Sequence, residues 1–325
     1  MSDVTIVVVT YNSRACLPRL KQALETQSHN SRLIVLDNAS TPDQRPTPKD
    51  LPSAADFIQS ETNLGFAAGN NLCVARVDTP FVALLNPDAF PEPDWLARLM
   101  AAAEQNPRVA AFGSTQISAN DPTRFDGLGD AYHAVGTSWR GGFGAPTAAH
   151  TPRTGQTFSA CAAAALYRTE AWRAVEGFDE ALFCFAEDVD LAFRLRLRGW
   201  QVMQIGDAVV RHIGGASAAA HSDFATFHNA RNTIRVFVKD MPSALFWLMA
   251  LAHALKTLAH YAASFARAEG ASYRRGVRAG IMGLAAAWRA RRAVQATREA
   301  PVRHIAAALT WSPLALLRRA PKIWR

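Results

Sequence analysis

The sequence predicts an α/β fold in which helices flank a mostly parallel sheet. Three short apolar runs, residues 4–9, 33–36 and 81–85, show no alternation of apolar and polar side chains, which is typical of strands buried on both faces. Helical patterns separate these runs, and strands that alternate with helices indicate βαβ units. Polar residues follow every run, so they should collect at the carboxyl edge of the sheet, where open α/β sheets bind ligands.

The polar residues at the three strand ends are the first candidates for a ligand site. A helix should follow the first strand, with Ser13 as its cap and Leu17, Leu20 and Leu24 on its apolar side. The candidates are Thr10, Tyr11 and Asn12 after the first strand, Asp37 after the second, and Asn86 and Asp88 after the third. We expect these side chains to line one crevice.

Charge is distributed unevenly along the 325 residues. Hydrophobic residues make up 49% of the chain and charged residues 19%, which excludes a disordered protein and allows one large domain or two. Residues 1–230 contain 18 Lys and Arg against 24 Asp and Glu, a balance of −6, whereas residues 231–325 contain 17 against 3, a balance of +14. A basic region of this kind predicts an anionic partner, either a membrane or nucleic acid.

The cysteines and the N-terminal residues indicate a cytoplasmic protein. Cys16, Cys73, Cys161 and Cys184 form no CxxC pair and have no zinc-site spacing with histidine, so neither a structural zinc nor a disulfide framework is expected. The apolar run at residues 4–9 is too short for a signal peptide, and no basic residue precedes it.

The C-terminal region is predicted to form helices that lie on a membrane surface. Its uncharged stretches, residues 241–255, 279–288 and 304–317, are shorter than the roughly 20 residues that a membrane-spanning helix needs. A basic stripe of His253, Lys256, His260, Ser264 and Arg267 lies opposite an apolar face of Leu245, Leu248, Met249, Ala252 and Leu255. An anionic membrane is therefore the expected partner, and a helical subdomain with a solvated basic face is the alternative. Nucleic acid is disfavoured because no binding motif accompanies the charge.

Three acidic residues, Glu187, Asp188 and Asp190, crowd together at a predicted short amphipathic helix. The spacing of the apolar residues places this helix at about residues 190–198. Asp190 would then cap its first turn. Glu187 and Asp188 are expected before the helix, after two phenylalanines, where a carboxylate could face a pocket and act as a general base.

The segment NLGFAAGNN, residues 63–71, is a candidate phosphate-binding loop. Asn63, Gly65 and Asn70 stand where a loop is expected to enter a helix, so that backbone N–H groups could approach a phosphate. A plain turn followed by a helix cap is the alternative, because the segment is not the GxGxxG of a dinucleotide site.

Seven motifs follow one another along the chain, namely TIVVVTYN, LDNAS, NLGFAAGNN, LLNPDA, GFDEALF, AEDVDLAFRLRLRGW and HIGGAS. In this order and spacing they resemble the bacterial glycosyltransferases of family 2, notably the rhamnosyltransferase-like branch. The resemblance covers about residues 3–240. It divides the chain into a glycosyltransferase domain at residues 1–240 and a basic amphipathic helical region at residues 241–325, which is expected to associate with membranes.

The resemblance implies a GT-A fold, a nucleotide-sugar donor and an inverting transfer that needs a divalent metal, Mg²⁺ or Mn²⁺. Asp37 matches the aspartate that reads the imide of uracil or thymine, which implies a UDP- or dTDP-sugar. Asp88 matches the metal-binding aspartate, and His212 matches a histidine that joins the metal in some relatives. Asn86 departs from the family pattern, which has aspartate at that position. Asp188 matches the catalytic base.

The resemblance also implies a wider nucleotide-sugar-binding set and leaves two roles open. Glu187 is the rival of Asp188 for the base, because it is adjacent and has the same chemistry. Arg231 matches a basic position that could contact phosphate, and a surface arginine is the alternative. The nucleotide-sugar-binding set is Thr10, Tyr11, Asn12, Asp37, Asn63, Gly65, Asn70, Asn86 and Glu187.

These features predict an inverting glycosyltransferase that transfers rhamnose or a hexose to a lipid-linked saccharide in cell-surface polysaccharide synthesis. It would act as a peripheral protein at the inner face of the cytoplasmic membrane. A catalytically silent relative that binds only nucleotide or a partner is the alternative, and the joint presence of Asp37, Asp88 and Asp188 argues against it. An α/β nucleotidyltransferase is disfavoured because the N-terminal region has no glycine-rich, lysine-bearing phosphate loop.

Overall fold

The computed structural model describes residues 2–214, 222–268 and 270–324. Ten of the strands in this range form one sheet, and two form a separate hairpin. The strands are β1 (Val4–Thr10), β2 (Arg32–Asn38), β3 (Ala55–Ser60), β4 (Phe81–Leu85), β5 (Ala89–Pro91), β6 (Val109–Ser118), β7 (Phe125–Gly127), β8 (Asp130–His133), β9 (Thr137–Arg140), β10 (Gly155–Gln156), β11 (Ala164–Arg168) and β12 (Gln201–His212).

The long strands of the sheet run in one direction, apart from β11. The order is β3-β2-β1-β4-β11-β6-β12-β10. β1 pairs in parallel with β2 and β4, β2 with β3, and β6 with β12, whereas β11 runs antiparallel between β4 and β6. The three apolar runs of the sequence are β1, β2 and β4. The predicted α/β fold with a mostly parallel sheet is confirmed, and the register sets Thr10 beside Asp37 at the carboxyl edge.

Helices cover both faces of the sheet. The first helices are α1 (Leu17–Glu25), α2 (Gly65–Val74), α3 (Trp95–Gln105), α4 (Thr169–Ala174) and α5 (Glu187–Leu197). Alternate residues of β1 serve opposite cores, because Val7 and Val9 pack with α2, α4 and α5 while Ile6 and Val8 pack with α1 and α3. Helix α2 lies directly on the sheet, since a Cβ at Gly69 would stand 3.0 Å from the Val9 side chain.

Helix α5 begins earlier than the sequence indicated, and this corrects two expectations. Its first residue is Glu187, so Glu187 and Asp188 lie inside its first turn and not before it. Asp190 is not a cap, because it is fully buried and accepts hydrogen bonds from Arg194, with Lys239 as a second ion-pair partner. Burial alone would raise the pKa of Asp190, but these two cations lower it. The ion pair with Lys239 fastens the helix to the C-terminal third of the chain.

The C-terminal third is helical and shares a core with helix α5 and the β8–β9 hairpin. Its helices are α6 (Asp223–Asp240), α7 (Ser243–Ala263), α8 (Gly270–Met282), α9 (Leu284–Ala296), α10 (Val302–Ala308) and α11 (Pro313–Leu317). Phe237 of α6, Phe193 of α5, Tyr132 of β8 and Ile305 of α10 belong to one hydrophobic cluster. The division at residue 240 therefore falls between two helices whose side chains join the same core, and it remains a prediction.

Helix α7 is rotated relative to the predicted orientation. His253 is buried, its ring stacks on Phe237 at 4.0 Å, and its Nδ1 lies 2.9 Å from the carbonyl oxygen of Val135. Lys256 donates to the Gly136 carbonyl and to the Thr137 hydroxyl, both at 2.8 Å, and burial lowers its pKa to about 8. The prediction that these two residues belong to a basic stripe on a membrane-surface helix is wrong, because they bind the turn of the β8–β9 hairpin.

The outer face of α7 is apolar instead. Its exposed side chains include Trp247, Leu248, Leu251, Leu255 and Leu258, which are 57% to 71% accessible to solvent. No helix in residues 2–214, 222–268 and 270–324 combines the length and the apolar composition needed to cross a bilayer.

Candidate active site

The carboxyl ends of β1 and β2 bring two buried polar side chains together. Asp37 is fully buried; its Oδ1 accepts a hydrogen bond from the Ser40 backbone at 3.3 Å, and its Oδ2 has no hydrogen-bond partner among the described residues. The nearest cation to Oδ2 is the Arg45 guanidinium, at 3.8 Å. The hydroxyl of Thr10 is also buried without a described partner. Unused polar atoms in a crevice are expected where a ligand supplies the missing bonds.

Asn12 fastens the loop beside this pair. Its backbone is left-handed, with φ at 49°, and its side-chain oxygen accepts from the Thr41 backbone at 2.9 Å and the Thr41 hydroxyl at 3.2 Å. Its backbone N–H donates to the Ser40 hydroxyl at 2.9 Å. Tyr11 is partly exposed between Thr10 and Asn12. Asn12 thus positions the loop around Asp37, while Tyr11 presents a ring at the edge of the crevice.

The predicted phosphate-binding segment is a loop-to-helix entry, as α2 begins at Gly65. Asn63 accepts from the Asn38 side chain at 3.1 Å and from the Gly65 backbone at 2.9 Å. Gly65 has φ at +78°, and a Cβ there would come within 2.6 Å of the Phe183 carbonyl oxygen. Asn70 is buried and donates to the carbonyl of Phe66 at 2.8 Å. All three make structural contacts, so their role toward a nucleotide remains a prediction.

Asp88 and His212, predicted as metal ligands from distant motifs, face each other. His212 Nε2 lies 3.3 Å from Asp88 Oδ1, and both side chains are almost fully buried. His212 Nδ1 lies 2.7 Å from an oxygen of Asp126, which in turn pairs with Arg140. Burial opposes the charged imidazolium, but the hydrogen bonds and charges of Asp126 and Asp88 raise the pKa of His212 overall.

The donor set here fits a divalent cation. Carboxylate oxygen and imidazole nitrogen suit Mn²⁺, and a second carboxylate on Nδ1 is the support that metal-binding histidines have in general. Nε2 of His212 has no aligned hydrogen bond within the described part of the chain, although Asp88 is close. Asn86 holds the preceding turn through a backbone hydrogen bond to Ala163, at 2.8 Å. The last three residues of the HIGGAS motif lie outside the described residues.

Asp188 is partly exposed and is held by backbone hydrogen bonds. Its carboxylate accepts from the N–H groups of Ala162, at 3.2 Å, and Val189, at 2.8 Å. Burial raises the pKa of Asp188, and the two backbone bonds offset only part of that effect. A raised pKa brings a carboxylate closer to neutral pH, where a general base is most effective.

Glu187 is placed differently from its neighbour. It is buried, and its Oε2 has no hydrogen-bond partner in the part of the chain that the structure describes. Burial and the adjacent charge of Asp188 raise the pKa of Glu187 well above its usual range. Asp188 is partly exposed and oriented by two backbone N–H groups whereas Glu187 is buried, so the geometry favours Asp188 over Glu187 as the base.

Asp130, Cys161 and Arg140 lie near Asp188, and the sequence analysis assigned none of them to the site. The ligand atoms of Asp130, Cys161 and Asp188 all lie within 4.8 Å of one another. Asp130 is opposite Arg140 in the β8–β9 register, and the Arg140 guanidinium supplies positive charge to the group. Burial and the charge of Asp188 raise the pKa of Asp130 well above normal. The glycine-rich stretch that carries Asp126, Asp130 and Arg140 matches none of the seven motifs, so no sequence signal identified them.

A loop with unfavourable backbone angles leads into the helix turn that carries Asp188. Phe183, Phe185 and Ala186 have φ between 64° and 70°, a region that side chains with a Cβ rarely adopt. Asn232 of α6 stabilises this loop, since its side-chain N–H₂ donates to the carbonyls of Leu182, Cys184 and Phe185 at 3.0, 2.9 and 2.7 Å.

Arg231 supports the same loop through its guanidinium. It donates to the Leu182 carbonyl at 2.7 Å and the Ala181 carbonyl at 3.2 Å. Arg231 thus makes structural contacts, and its contact with phosphate remains a prediction. The Arg231–Asn232 pair was visible in the sequence, but its partners became visible only in the fold.

Comparison with known proteins places this arrangement among sugar-transferring enzymes. The model of the family described as glycosyl transferase family 2 matches residues 5–174. The O-antigen chain rhamnosyltransferase RfbN of Salmonella typhimurium is 24% identical over 212 residues, which are 64% of this chain and 66% of that protein, just under two thirds. The N-acetylglucosaminyl-diphospho-decaprenol L-rhamnosyltransferase of Mycobacterium tuberculosis is 27% identical over 243 residues, 65% of this chain and 76% of that protein.

Two solved structures share the fold at low sequence identity. The mannosyltransferase PcManGT from Pyrobaculum calidifontis, in complex with GDP-Man and Mn²⁺, is 19% identical with a TM-score of 0.53, over 94% of this chain and 83% of that one. Residues 1–349 of S. aureus TarS, in complex with UDP, are 16% identical with a TM-score of 0.52, over 87% of this chain and 92% of that one. Both likenesses concern the fold alone.

Proposed function

The chain belongs to glycosyl transferase family 2, and from this premise we propose that it transfers a sugar from a nucleoside diphosphate to a lipid-linked saccharide. The rhamnosyltransferase names of two relatives favour rhamnose, with a hexose as the alternative. The contact of Asp88 with His212 carries the proposal, because it unites two distant motifs in the arrangement that a diphosphate-binding metal requires.

The donor's base would bind at the ends of β1 and β2. Asp37 Oδ2 is a buried acceptor without a described hydrogen-bond partner, and uracil and thymine both carry an imide N–H donor. The Thr10 hydroxyl, equally unpaired, would bind a second polar atom of the nucleoside. This pairing favours UDP- or dTDP-sugars, since guanine and adenine present different edges.

Asp188 would act as the general base in an inverting transfer. Its carboxylate takes the proton of the acceptor hydroxyl as that oxygen forms a bond to the anomeric carbon, and the bond from that carbon to the diphosphate oxygen breaks on the opposite face. The Ala162 and Val189 N–H groups fix the orientation of the carboxylate before reaction. Arg140, which carries positive charge beside Asp188, favours the ionised form of the base.

Asp88 and His212 would hold the divalent metal, Mg²⁺ or Mn²⁺. Such an ion neutralises charge on the diphosphate leaving group when it is bound. Asp126 keeps the His212 ring oriented with Nε2 toward Asp88, and Arg140 holds Asp126 in place through an ion pair.

The exposed face of α7 would dock on an anionic membrane. Monomeric proteins rarely expose a large contiguous apolar patch without a partner, and Trp247, Leu251 and Leu258 belong to one such helix face. The surrounding region carries a balance of +14 over residues 231–325, which complements anionic headgroups and disfavours an acid-poor protein partner. Trp247 contacts Trp288 of α9 at a centroid distance of 6.1 Å, so α9 would lie beside the docked face.

A donor screen tests this function. The purified full chain is incubated with Mn²⁺, UDP- or dTDP-sugars and a short-chain N-acetylglucosaminyl diphosphate lipid, and release of UDP or dTDP is measured with and without EDTA. We expect one donor class to react, with loss of reaction in EDTA. Thermal stabilisation by UDP or dTDP, about 2.7 kcal/mol at a hundredfold excess over Kd, without release from any donor would instead indicate a silent nucleotide-binding relative.

A further inference from the structure

We propose that Phe183, Phe185, Phe224 and His228 form an aromatic platform on which a pyranose ring of the saccharide acceptor stacks beside the catalytic base. The proposal rests on the proposed function, since it locates the acceptor of that reaction. It concerns residues outside the seven sequence motifs, apart from Phe183, the last residue of GFDEALF.

The rings of the platform contact one another across two separate elements. Phe224 and His228, one turn apart on α6, have centroids 4.4 Å apart. Phe183 stacks on His228 at 5.5 Å with an interplanar angle of 21°, and Phe224 lies 6.2 Å from Phe183 and 6.1 Å from Phe185. Phe224 is 41% exposed although it is large and apolar, so the cluster keeps an open side.

The position of the platform links it to the chemistry. Phe185 precedes the base Asp188 by three residues, and the loop that carries both phenylalanines has left-handed backbone at Phe183 and Phe185. Such backbone is maintained only where the surrounding structure imposes it, as Asn232 does here with three hydrogen bonds, and it is concentrated at functional sites. The fold thus stabilises an unfavourable loop that carries two aromatic rings and leads directly into the helix turn of Asp188.

The chemistry of the platform matches a saccharide. The C–H face of a pyranose is apolar and flat enough to lie on an aromatic ring, while its hydroxyls need hydrogen-bond partners. His228 Nδ1 is buried and has no hydrogen-bond partner in the described ranges. Burial and the charge of Arg231 lower the pKa of His228 to about 4, so the ring is neutral, and a sugar hydroxyl, which can donate or accept, would satisfy Nδ1.

Substitution of the exposed ring tests the platform without disturbing the core. Phe224→Ala should raise the KM for the N-acetylglucosaminyl diphosphate lipid about 5- to 10-fold, while the donor KM and the donor hydrolysis rate stay unchanged. Phe224→Trp should restore the acceptor KM, because it keeps a stacking surface. Phe143→Ala is the matched control, since Phe143 is exposed to a similar extent, 46%, in a different loop.

Three outcomes would overturn the platform. An unchanged acceptor KM in Phe224→Ala excludes stacking on this ring, an equal rise in donor KM assigns the rings to the donor, and an equal effect of Phe143→Ala makes the change nonspecific. Saturation-transfer NMR with the methyl glycoside of N-acetylglucosamine measures sugar contact without turnover. If wild-type protein fails to transfer yet the glycoside signal depends on Phe224, the platform stands and the proposed function fails; if the signal is independent of Phe224, the platform fails.

Discussion

The carboxyl edge of the sheet and the outer face of α7 depart from ordinary protein surfaces in opposite ways. At the sheet edge, Asp37 and Thr10 bury polar atoms that have no described hydrogen-bond partner. On α7, leucines and a tryptophan remain exposed. Both arrangements are unfavourable in isolation. Buried polar atoms lose their hydrogen bonds to water, and exposed apolar side chains remain in contact with water. The difference indicates a polar ligand for the first region and an apolar surface for the second.

The two regions are nevertheless one folded body. The β8–β9 hairpin carries Asp130 and Arg140, which lie near Asp188. Its turn is bound by His253 and Lys256 of α7. Trp139 of the same hairpin donates to the Ala320 carbonyl at 3.0 Å. Deletion of the C-terminal helices would therefore strip contacts from the active site. Point substitutions on each surface separate the two functions more cleanly.

The largest effect is expected for Asp188→Asn. The amide keeps the shape of the side chain but cannot take a proton at neutral pH, so kcat should fall about 10²- to 10⁴-fold. Calorimetry should find UDP or dTDP affinity nearly unchanged, because the donor contacts proposed here lie at Asp37 and Asp88. Flotation with anionic vesicles should also be unchanged, since α7 is untouched.

Glu187→Gln is the matched control for the base. It should retain most of the activity, because Glu187 is buried and the amide keeps the shape of the side chain. If Glu187→Gln is inactive while Asp188→Asn turns over normally with both substrates saturating, the base is Glu187. If both variants remain active, the base-catalysed mechanism is wrong.

The opposite pattern, loss of membrane binding with retained transfer, is expected for the double substitution Leu251→Glu and Leu258→Glu in α7. Burial of a leucine contributes about 1.5 to 3 kcal/mol, so loss of two should weaken vesicle binding roughly 100-fold or more. Transfer to a soluble acceptor should persist, because both leucines are more than 60% exposed and lie away from the core. Flotation with vesicles of anionic lipid measures the binding.

Phe57→Glu on the edge strand β3 is the control for the α7 variant, since Phe57 is also exposed, at 40%. It should leave flotation unchanged. Equal loss in both variants would mean that added negative charge, and not the α7 face, weakens the interaction. Full retention of flotation by the double variant would remove α7 from the membrane surface.

The elements that local pattern determines were predictable from sequence. Strands β1, β2 and β4 are covered on both faces, so their uniform apolar runs identified them, and their carboxyl ends brought Thr10 and Asp37 together as expected. The contact of Asp88 with His212 followed from the motif pair, although no local pattern links them. Helix α5 was misplaced by three residues because its first turn is fixed by a left-handed Ala186 and not by a capping side chain.

The remaining site residues depend on long-range packing that leaves no local signature. Asp130 and Arg140 meet only through the register of a short hairpin, and Asn232 reaches the loop before the base from a different helix. Leu248 and Leu255 of the predicted apolar face of α7 are exposed, but His253 and Lys256 of the predicted basic stripe bind backbone carbonyls in the hairpin turn, which an isolated helical pattern cannot show. Tertiary partners thus decided which face of an amphipathic helix points inward.

A smaller effect is expected for Asp37→Ala at the sheet edge. Loss of this buried acceptor leaves the imide N–H of uracil or thymine unpaired, which costs about 1 to 3 kcal/mol. UDP or dTDP should therefore bind roughly 5- to 150-fold more weakly. Isothermal titration calorimetry measures this directly. Vesicle flotation should stay constant, and unchanged nucleotide affinity would remove Asp37 from the donor site.

Acidification should also separate the two regions. Asp188 accepts a proton only when ionised, and burial raises its pKa above the ordinary 3.8, so activity is present above the raised pKa and is lost as pH falls through it. The kcat/KM of the donor should fall about tenfold per pH unit below that point. Vesicle flotation should not decline with it, because acid adds positive charge to the helical region. A decline of kcat/KM centred at the ordinary aspartate pKa would contradict the raised pKa of Asp188.

The smallest effect is expected for Asn232→Ala, which removes the hydrogen bonds to the loop before the base. The Cys184 and Phe185 carbonyls lose this donor, and the Leu182 carbonyl keeps Arg231, so the loop should relax from its left-handed conformation and kcat should fall about tenfold with little change in either KM. Gln295→Ala is the matched control, because Gln295 also uses an amide to hold backbone carbonyls, those of Lys239 and Asp240 at the other end of α6. Both variants should lower the unfolding midpoint, but only Asn232→Ala should lower kcat. Since the stability loss is common to the two, a kcat loss in both would assign Asn232 to the general support of α6, and a kcat unchanged in Asn232→Ala would show that the base keeps its position without the loop.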